Sequence, residues 1–415
     1  MPKTILDVES FGAISAEDDD LKKYFVQTDI YRDIRAGKRQ VVVGRKGSGK
    51  TALYRALQEK PSRRTVVGLT FQNYPWALHY KYESKLEDRH SRFVQSWRFL
   101  IFLEILKSVL SEPDRAGKYK GKEQRSALRA AEDFIKKNWG VLNFDYKKTF
   151  PAGGFQLSSF EFKPEVLGNA LGGVGVSREG GSLGDTLSRL NQWLWAILSA
   201  VSTDAPDVFV LFDELDAGFD PSSQDYTDRV IGLLLAVRGL SREFSAAPAR
   251  FFPVAFLRSD IFSALHFGDK NKLTDANAAY LMWNEDLEYS GSSLKELIDY
   301  RIRRELELDQ SVKQPWGYAF DGQSMRGTQH KFNHITFRTF RRPRDVIKFC
   351  NCALEAARKR LRGGGGSRGP SLITNDDIRA ARRPYSDPTL TARWVSWAVG
   401  SSEIHHLAFA GGRKT

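Results

Sequence analysis

Short apolar runs rich in β-branched residues recur along this chain, separated by longer stretches whose apolar positions repeat at helical spacing. Val41–Val43, Thr65–Thr70 (TVVGLT), Asp207–Asp216 (DVFVLFDELD) and Phe251–Leu257 have strand length and few polar interruptions, as strands buried on both faces do. Between them the pattern predicts helices over 21–39 and 86–110, the second with Phe93, Trp97, Leu100, Ile101, Leu103, Ile105 and Leu106 on one broad face. Lys122–Trp139 and Leu187–Val201 read as two more helices. Further on, a helix from Leu294 turns Leu297, Ile298 and Ile302 inward and Arg301, Arg303 and Arg304 outward. Another opens at Pro343, a residue the first helical turn accepts, with Val346, Ile347, Phe349, Cys350 and Leu354 inward. Strands alternating with helices predict an α/β fold around a parallel sheet.

The same pattern suggests boundaries. Residues 1–20 end in Glu17-Asp18-Asp19-Asp20 and read as a solvated lead-in. An α/β core follows over 21–265, then a helical subdomain over 266–362, and a glycine break with a helical C-terminal segment over 363–415. Within the core, 141–186 is punctured by glycines and reads as an insertion of unassigned role; its FQLSSFEF run has the alternation of a hairpin arm. Residues 71–84 form an aromatic-rich link, with Tyr74, Trp76, His79, Tyr80 and Tyr82.

The first strand runs straight into the chemistry. Gly44-Arg45-Lys46-Gly47-Ser48-Gly49-Lys50-Thr51 satisfies G-x-x-x-x-G-K-[ST], and Ala52, Leu53, Ala56 and Leu57 continue as a helix. Strand, glycine loop and helix are the setting in which backbone N–H groups and a helix N-terminus cradle phosphates. In that reading residues Gly44–Ala52 bind nucleotide, Lys50 reaches the β- and γ-phosphates, and the Thr51 hydroxyl holds Mg²⁺. The bland alternative is a glycine turn between a strand and a helix. Tyr24, Phe25 and Tyr31, just upstream, either stack on a base or belong to the core.

Asp213-Glu214 ends the strand of 207–216. Two carboxylates at a strand end repel each other and resist burial unless a cation or hydrogen bonds compensate. Read with the upstream loop, Asp213 supports the Thr51-bound Mg²⁺ and Glu214 polarises the attacking water; read alone, they are a strand running into an acidic turn. Arg258 or Ser259, after the strand of 251–257, stands where a γ-phosphate sensor would, although helix capping by Ser259 or Asp260 explains those residues equally. Arg341, Arg342 and Arg344 crowd the helix start at Pro343, where a cation opposes the helix dipole and an anionic partner is favoured. Arg344 is the first choice to read the nucleotide. Any trans-acting arginine in 301–304 is the weaker expectation.

Charge enlarges this picture. Lys and Arg total 63 against 50 Asp and Glu, a formal net charge of +13, which suits either a polyanionic partner such as nucleic acid or a generally basic surface. The only two cysteines, Cys350 and Cys352, form neither a disulfide framework nor a four-ligand zinc site. With no apolar leader and no long uncharged apolar segment, a cytoplasmic protein without membrane association is expected.

Taken together, FVQTDIYRDI before GRKGSGKTAL, then LFDELD, FLRSDIF, W-x-E-D-L, RIRREL and RRPRD resemble bacterial P-loop ATPases of the branch with an additional strand and a catalytic glutamate. That branch includes the AAA+, STAND and KAP groups, and the family is found near mobile and antiphage defence loci. The resemblance spans most of 20–360 and excludes the insertion and the tail. It implies a three-layer α/β/α parallel sheet with an α-helical lid, and slow ATP hydrolysis driving a conformational switch. Its implied roles are Lys50 and Thr51 on phosphates and Mg²⁺, Asp213 on the metal, Glu214 as base, and Arg258 and Arg344 as sensors. No N-K-x-D is present, which favours ATP over GTP. No nuclease or deaminase constellation stands out, so an effector activity is expected in a partner protein, and a homo-oligomer is expected. Two other functions stay open: an ATP-gated DNA- or RNA-binding protein, and a P-loop kinase, against which the Asp213-Glu214 pair and the arginine-headed helix speak.

Overall fold

The computed structural model describes residues 3–59, 64–72, 74–83, 88–155, 183–217, 223–246, 250–283, 293–363 and 371–400, with the side chains of 183–185, 363 and 388–400 outside that description. The chain divides into two compact units. One comprises Asp29–Lys46 and Lys50–Leu281; the other comprises Met1–Thr28, Gly47–Gly49 and Met282–Thr415.

The first unit is built on five parallel strands: β1 Val41–Gly44, β2 Arg64–Thr70, β3 Asp207–Asp213, β4 Phe251–Arg258 and β5 Ala278–Tyr280. Their order in the sheet is β2-β3-β4-β1-β5. Alternate side chains leave opposite faces. Val41, Val43, Val208, Val210 and Phe212 join one large core with the helices Val94–Leu110, Leu183–Val201 and Gln224–Ala246. Val42, Phe209, Leu211 and Phe256 are equally buried on the other face. There Tyr54, of the helix Lys50–Gln58, meets Phe256 edge-on and Phe209 stacks on Phe252. Burial on both faces is why these strands read as unbroken apolar runs.

Several expectations shift. The helix expected over 86–110 begins at Val94 and is buried nearly all round rather than along one face; even Glu104 and Lys107 are buried, paired with each other at 2.6 Å. Residues 84–87 lie outside the described ones. The aromatic link folds into the core, with Trp76–Tyr80 helical and Phe71, Tyr74, Trp76 and Trp97 in mutual ring contact. The segment expected to hang from the core at 141 is packed against it as far as Phe155: Phe144 and Phe150 are buried, and the Tyr146 hydroxyl donates to the Thr70 carbonyl at the end of β2. The remainder of that insertion, 156–182, lies outside the described residues. The unit runs past 265 to Leu281 because β5 pairs with β1.

The second unit is helical. Its core gathers Leu294, Ile298 and Ile302 of the helix Leu294–Glu305, Phe332 and Ile335, and Val346, Phe349 and Leu354 of the helix Pro343–Gly363. Ile5, Val8 and Phe11 are buried in the same core, so the first residues are an integral layer and not a solvated lead-in. Asp19, inside the acidic run, is 7 % exposed and pairs with Arg301 at 2.5 Å. Arg301, expected outward, is therefore buried; its Nη1 also donates to the Phe11 carbonyl at 2.8 Å. The helix expected over 21–39 is two: Leu21–Tyr24, capped by the Asp20 side chain and ended by an extended Phe25, and Asp29–Arg35 in the sheet unit. Tyr24 is spent in the helical unit, its hydroxyl on Glu305 and its ring beneath Arg301. Tyr31, under Arg35, is buried in the sheet unit. Among the described residues no helix is long and apolar enough to cross a membrane.

Candidate functional site

The carboxyl ends of β1, β3 and β4 lead into Lys50, Asp213, Glu214 and Arg258. Connections leaving β1 and β4, which are neighbours, run in opposite directions across the sheet, to β2 and to β5. Such a divergence opens the crevice in which open α/β sheets bind ligands.

After β1 the chain turns through Gly47 at φ +82° and Gly49 at φ +97°, a left-handed conformation that a side chain resists. A Cβ at Gly49 would meet nothing within 4 Å, so the glycine there serves the turn and not a tight contact. Arg45 and Lys46 are exposed, and the Ser48 hydroxyl is buried with no hydrogen-bond partner. Gly47–Gly49 group with the helical unit, where the Ser48 carbonyl accepts from Trp283 Nε1 at 2.8 Å and Arg344 Cβ lies 3.4 Å from where a Gly47 Cβ would stand.

Lys50 opens the next helix, followed by Thr51 and Ala52. Its Nζ donates to the carbonyls of Gly44 at 2.9 Å and Arg45 at 3.2 Å. Burial lowers the Lys50 pKa, while the charges of Asp213 and Asp216 oppose that shift.

Asp213 is the last residue of β3, in register with Thr70, and is 4 % exposed. Burial pushes its carboxyl up to about 6; the Glu214 backbone N–H, the Lys50 charge and the Thr51 hydroxyl work against that rise, and the Glu214 charge adds to it. Glu214 sits at φ +56°. For a residue with a Cβ that conformation costs about 1–3 kcal/mol and clusters at functional sites. Tyr54, one turn into the helix, faces the same carboxylates: burial raises its pKa, with Asp213 and Glu214 adding to the rise.

Arg258 ends β4 opposite Gly44 of β1. Its guanidinium spans Asp260, at 2.6 Å and 3.1 Å, and Asp216, at 3.1 Å. Ser259 is the first residue of the helix Ser259–Ala264. Lys50, Thr51, Asp213, Glu214 and Arg258 thus come together, and the sequence reading missed three of their companions. Asp216 and Asp260, two residues beyond Glu214 and Arg258, fix the arginine; Tyr54 lies three residues past Thr51 on the same helix face. The DELD spacing carried a signal for Asp216, whereas nothing in the sequence singled out Tyr54.

Arg344 belongs to the helical unit, as the second residue of Pro343–Gly363. Beside it Arg341 is held at φ +54° over the Phe337 ring and Arg342 pairs with Asp345. The W-x-E-D-L stretch lies outside the described residues beyond Trp283, as does His405-His406.

Among the described residues no three His, Cys, Asp or Glu side chains gather as an all-protein metal cage. Mg²⁺ does not need one, since it keeps several waters and takes one or two protein oxygens together with substrate phosphates. The Thr51 hydroxyl beside the buried Asp213 carboxylate is a donor set of that kind, and the orphaned Ser48 hydroxyl and left-handed glycines suit a phosphate cradle.

Residues 292–392 match a family described as the FunZ-associated C-terminal helical domain. The chain is also similar to a protein of Escherichia coli (strain K12) named as a transposon gamma-delta 80.3 kDa protein, 22% identical over 407 residues. That match covers 93% of this chain but only 51% of the relative, so the chain spans about half the length of the protein it resembles. No solved structure matches.

Proposed function

We propose that this chain is an ATP-binding and ATP-hydrolysing P-loop ATPase, a three-layer α/β/α fold with a helical lid subdomain, acting as a nucleotide-driven conformational switch. The observation that carries the reading is the meeting of Lys50, Thr51, Asp213 and Glu214 at the carboxyl edge of a parallel sheet, with β4 inserted between β1 and β3. The inserted strand is what the additional-strand branch of these ATPases implies.

Gly44–Gly49 offer backbone N–H groups to the phosphates and Lys50 neutralises them. Lys50 is partly desolvated, so its charge acts in a medium weaker than water at screening it. Thr51 and Asp213 would hold Mg²⁺, which when bound neutralises phosphate charge and orients the triphosphate. Glu214 accepts the proton of the attacking water, and its left-handed backbone breaks the extended run of β3 at that residue. Arg258, tethered by Asp216 and Asp260, and Arg344 sense the γ-phosphate. A cytoplasmic protein of a mobile-element or antiphage setting fits the resemblance and the name of the transposon-associated relative. A partner effector protein and self-association belong to the same proposal.

Phosphate release from ATP, measured for the wild type and Glu214→Gln in Mg²⁺, tests this. Turnover by the wild type with binding but no turnover by the variant is expected. Binding of ATP by neither protein overturns the reading.

A further inference from the structure

A second charged cluster lies in the helical unit, among residues the nucleotide reading does not use. His334, in the short helix Lys331–Thr336, is 1 % exposed, and a guanidinium reaches each of its ring nitrogens. Arg382 Nη2 stands 2.8 Å from Nε2, and Arg338 Nη1 stands 3.2 Å from Nδ1. A guanidinium only donates, and a neutral imidazole has a single accepting nitrogen. Gln329 Oε1, 3.0 Å from Nδ1, decides the tautomer: Nδ1–H donates to Gln329, and Nε2 accepts from Arg382. Arg338 is left with the His334 carbonyl, 3.3 Å from Nη1.

Burial, then the charges of Arg338, Arg382, Arg326 and Arg379, depress the imidazole to a pKa of about 4, so the histidine adds no charge near neutrality. Of the four arginines only Arg379 has a carboxylate partner among the described residues, Asp376 at 2.6 Å. Arg382 Nε is buried without a hydrogen-bond partner. Like charges gathered without counter-charge destabilise a fold until an anion joins them.

The surroundings narrow the anion. Phe337 and Phe340, flanking Arg338 in sequence, are 66 % and 43 % exposed. Arg341 lies over the first ring at 5.6 Å and Arg342 over the second at 4.8 Å. Exposed rings interleaved with arginines suit unpaired bases stacked along a phosphate backbone. A lipid surface is met by a long amphipathic helix with cations and apolar residues on opposite faces, whereas Phe337 and Phe340 follow the end of the six-residue helix Lys331–Thr336 and are interleaved with the arginines.

We propose that Arg326, Arg338 and Arg382, with Phe337 and Phe340 beside them, bind the phosphate backbone and bases of single-stranded nucleic acid. The proposal does not depend on the nucleotide reading, and its edge meets the glycine loop where Arg342, over the Phe340 ring, lies near Gly47.

Anisotropy of labelled single-stranded DNA and RNA of about 20 nucleotides, titrated with the full chain over a range of salt, tests it. Arg338→Ala with Arg382→Ala should weaken binding tenfold or more at about 100 mM salt, and should flatten the log–log salt slope by about 1.4, at about 0.7 per phosphate contact. Phe337→Ala with Phe340→Ala should weaken binding and leave the slope unchanged. Because Arg382 is partly buried, Arg338→Glu, at an exposed position, measures the same loss if the double variant melts early. DNA and RNA bound alike is consistent with backbone recognition. Unchanged affinity and slope in Arg338→Glu would overturn the proposal, as would tighter binding of the wild type to phosphatidylserine vesicles, to a phosphopeptide or to duplex DNA.

Discussion

The Thr51 hydroxyl favours the charged form of the Asp213 carboxylate, linking the first turn after the glycine loop to the end of β3. Two segments more than 160 residues apart in the chain therefore share one polar contact at the sheet's edge. Replacing Thr51 by Val removes that hydroxyl and with it one oxygen of the proposed Mg²⁺ site. Calorimetric titration with ATP and Mg²⁺ should record an affinity about 10–100-fold weaker, the usual loss when a metal site is stripped of a supporting group. Thr51→Ser should bind as the wild type does.

Glu214→Gln keeps size and backbone strain but cannot accept a proton. ATP affinity should be retained and turnover should fall by about 10²-fold or more. Phosphoryl transfer to an acceptor other than water, seen in the wild type and lost in the variant, would give the kinase reading the site instead.

Asp19 and Arg301 form a buried pair, and removing one partner leaves the other charge without compensation. Asp19→Ala or Arg301→Met should each lower stability in urea by about 3–5 kcal/mol. Asp19→Leu combined with Arg301→Met should recover much of that loss. Gly12→Ala belongs to the same test. Gly12 is at φ +97°, and an added Cβ would stand 1.9 Å from Arg301 Nη1, so the alanine should also be destabilising.

His79 gives the sheet unit a pH dependence. The ring is fully buried, 2.7 Å from Ser96 Oγ and 3.3 Å from the Tyr74 hydroxyl, and burial, with Arg229 adding, lowers its pKa from 6.5 to about 3. Between those values the unfolded chain takes up a proton that the folded chain refuses. Stability from this group is thus complete above pH 6.5 and is lost as pH falls toward 3, at about 1.4 kcal/mol per pH unit. Urea unfolding from neutral pH downward should show that decline, and His79→Asn should remove the share that belongs to His79.

Much of the sheet unit was legible because strands buried on both faces leave continuous apolar runs and cannot hide. The glycine loop was legible because its spacing follows a fixed pattern, and Gly47 and Gly49 take the left-handed backbone that only glycine adopts readily. What stayed hidden was long-range. Nothing local marks Asp19 as the partner of Arg301, so an acidic run looked solvated and an arginine looked outward. The helix Val94–Leu110 was misjudged because Glu104 and Lys107 neutralise each other inside the core, where polarity alone suggests an outer face. Tyr54 and the arginines around His334 escaped for the same reason: their roles arise from neighbours that the fold supplies.

The helical core closes only when Ile5, Val8 and Phe11 join residues from 294 onward. The match to the helical family spans 292–392 and omits that first layer. A fragment cut to those limits would lose both the apolar cover and the carboxylate of Asp19, leaving Arg301 to face an open core. During synthesis the same feature imposes an order of assembly: residues 5–11 must wait, unsatisfied, until the residues from 294 onward have been made before they find their place.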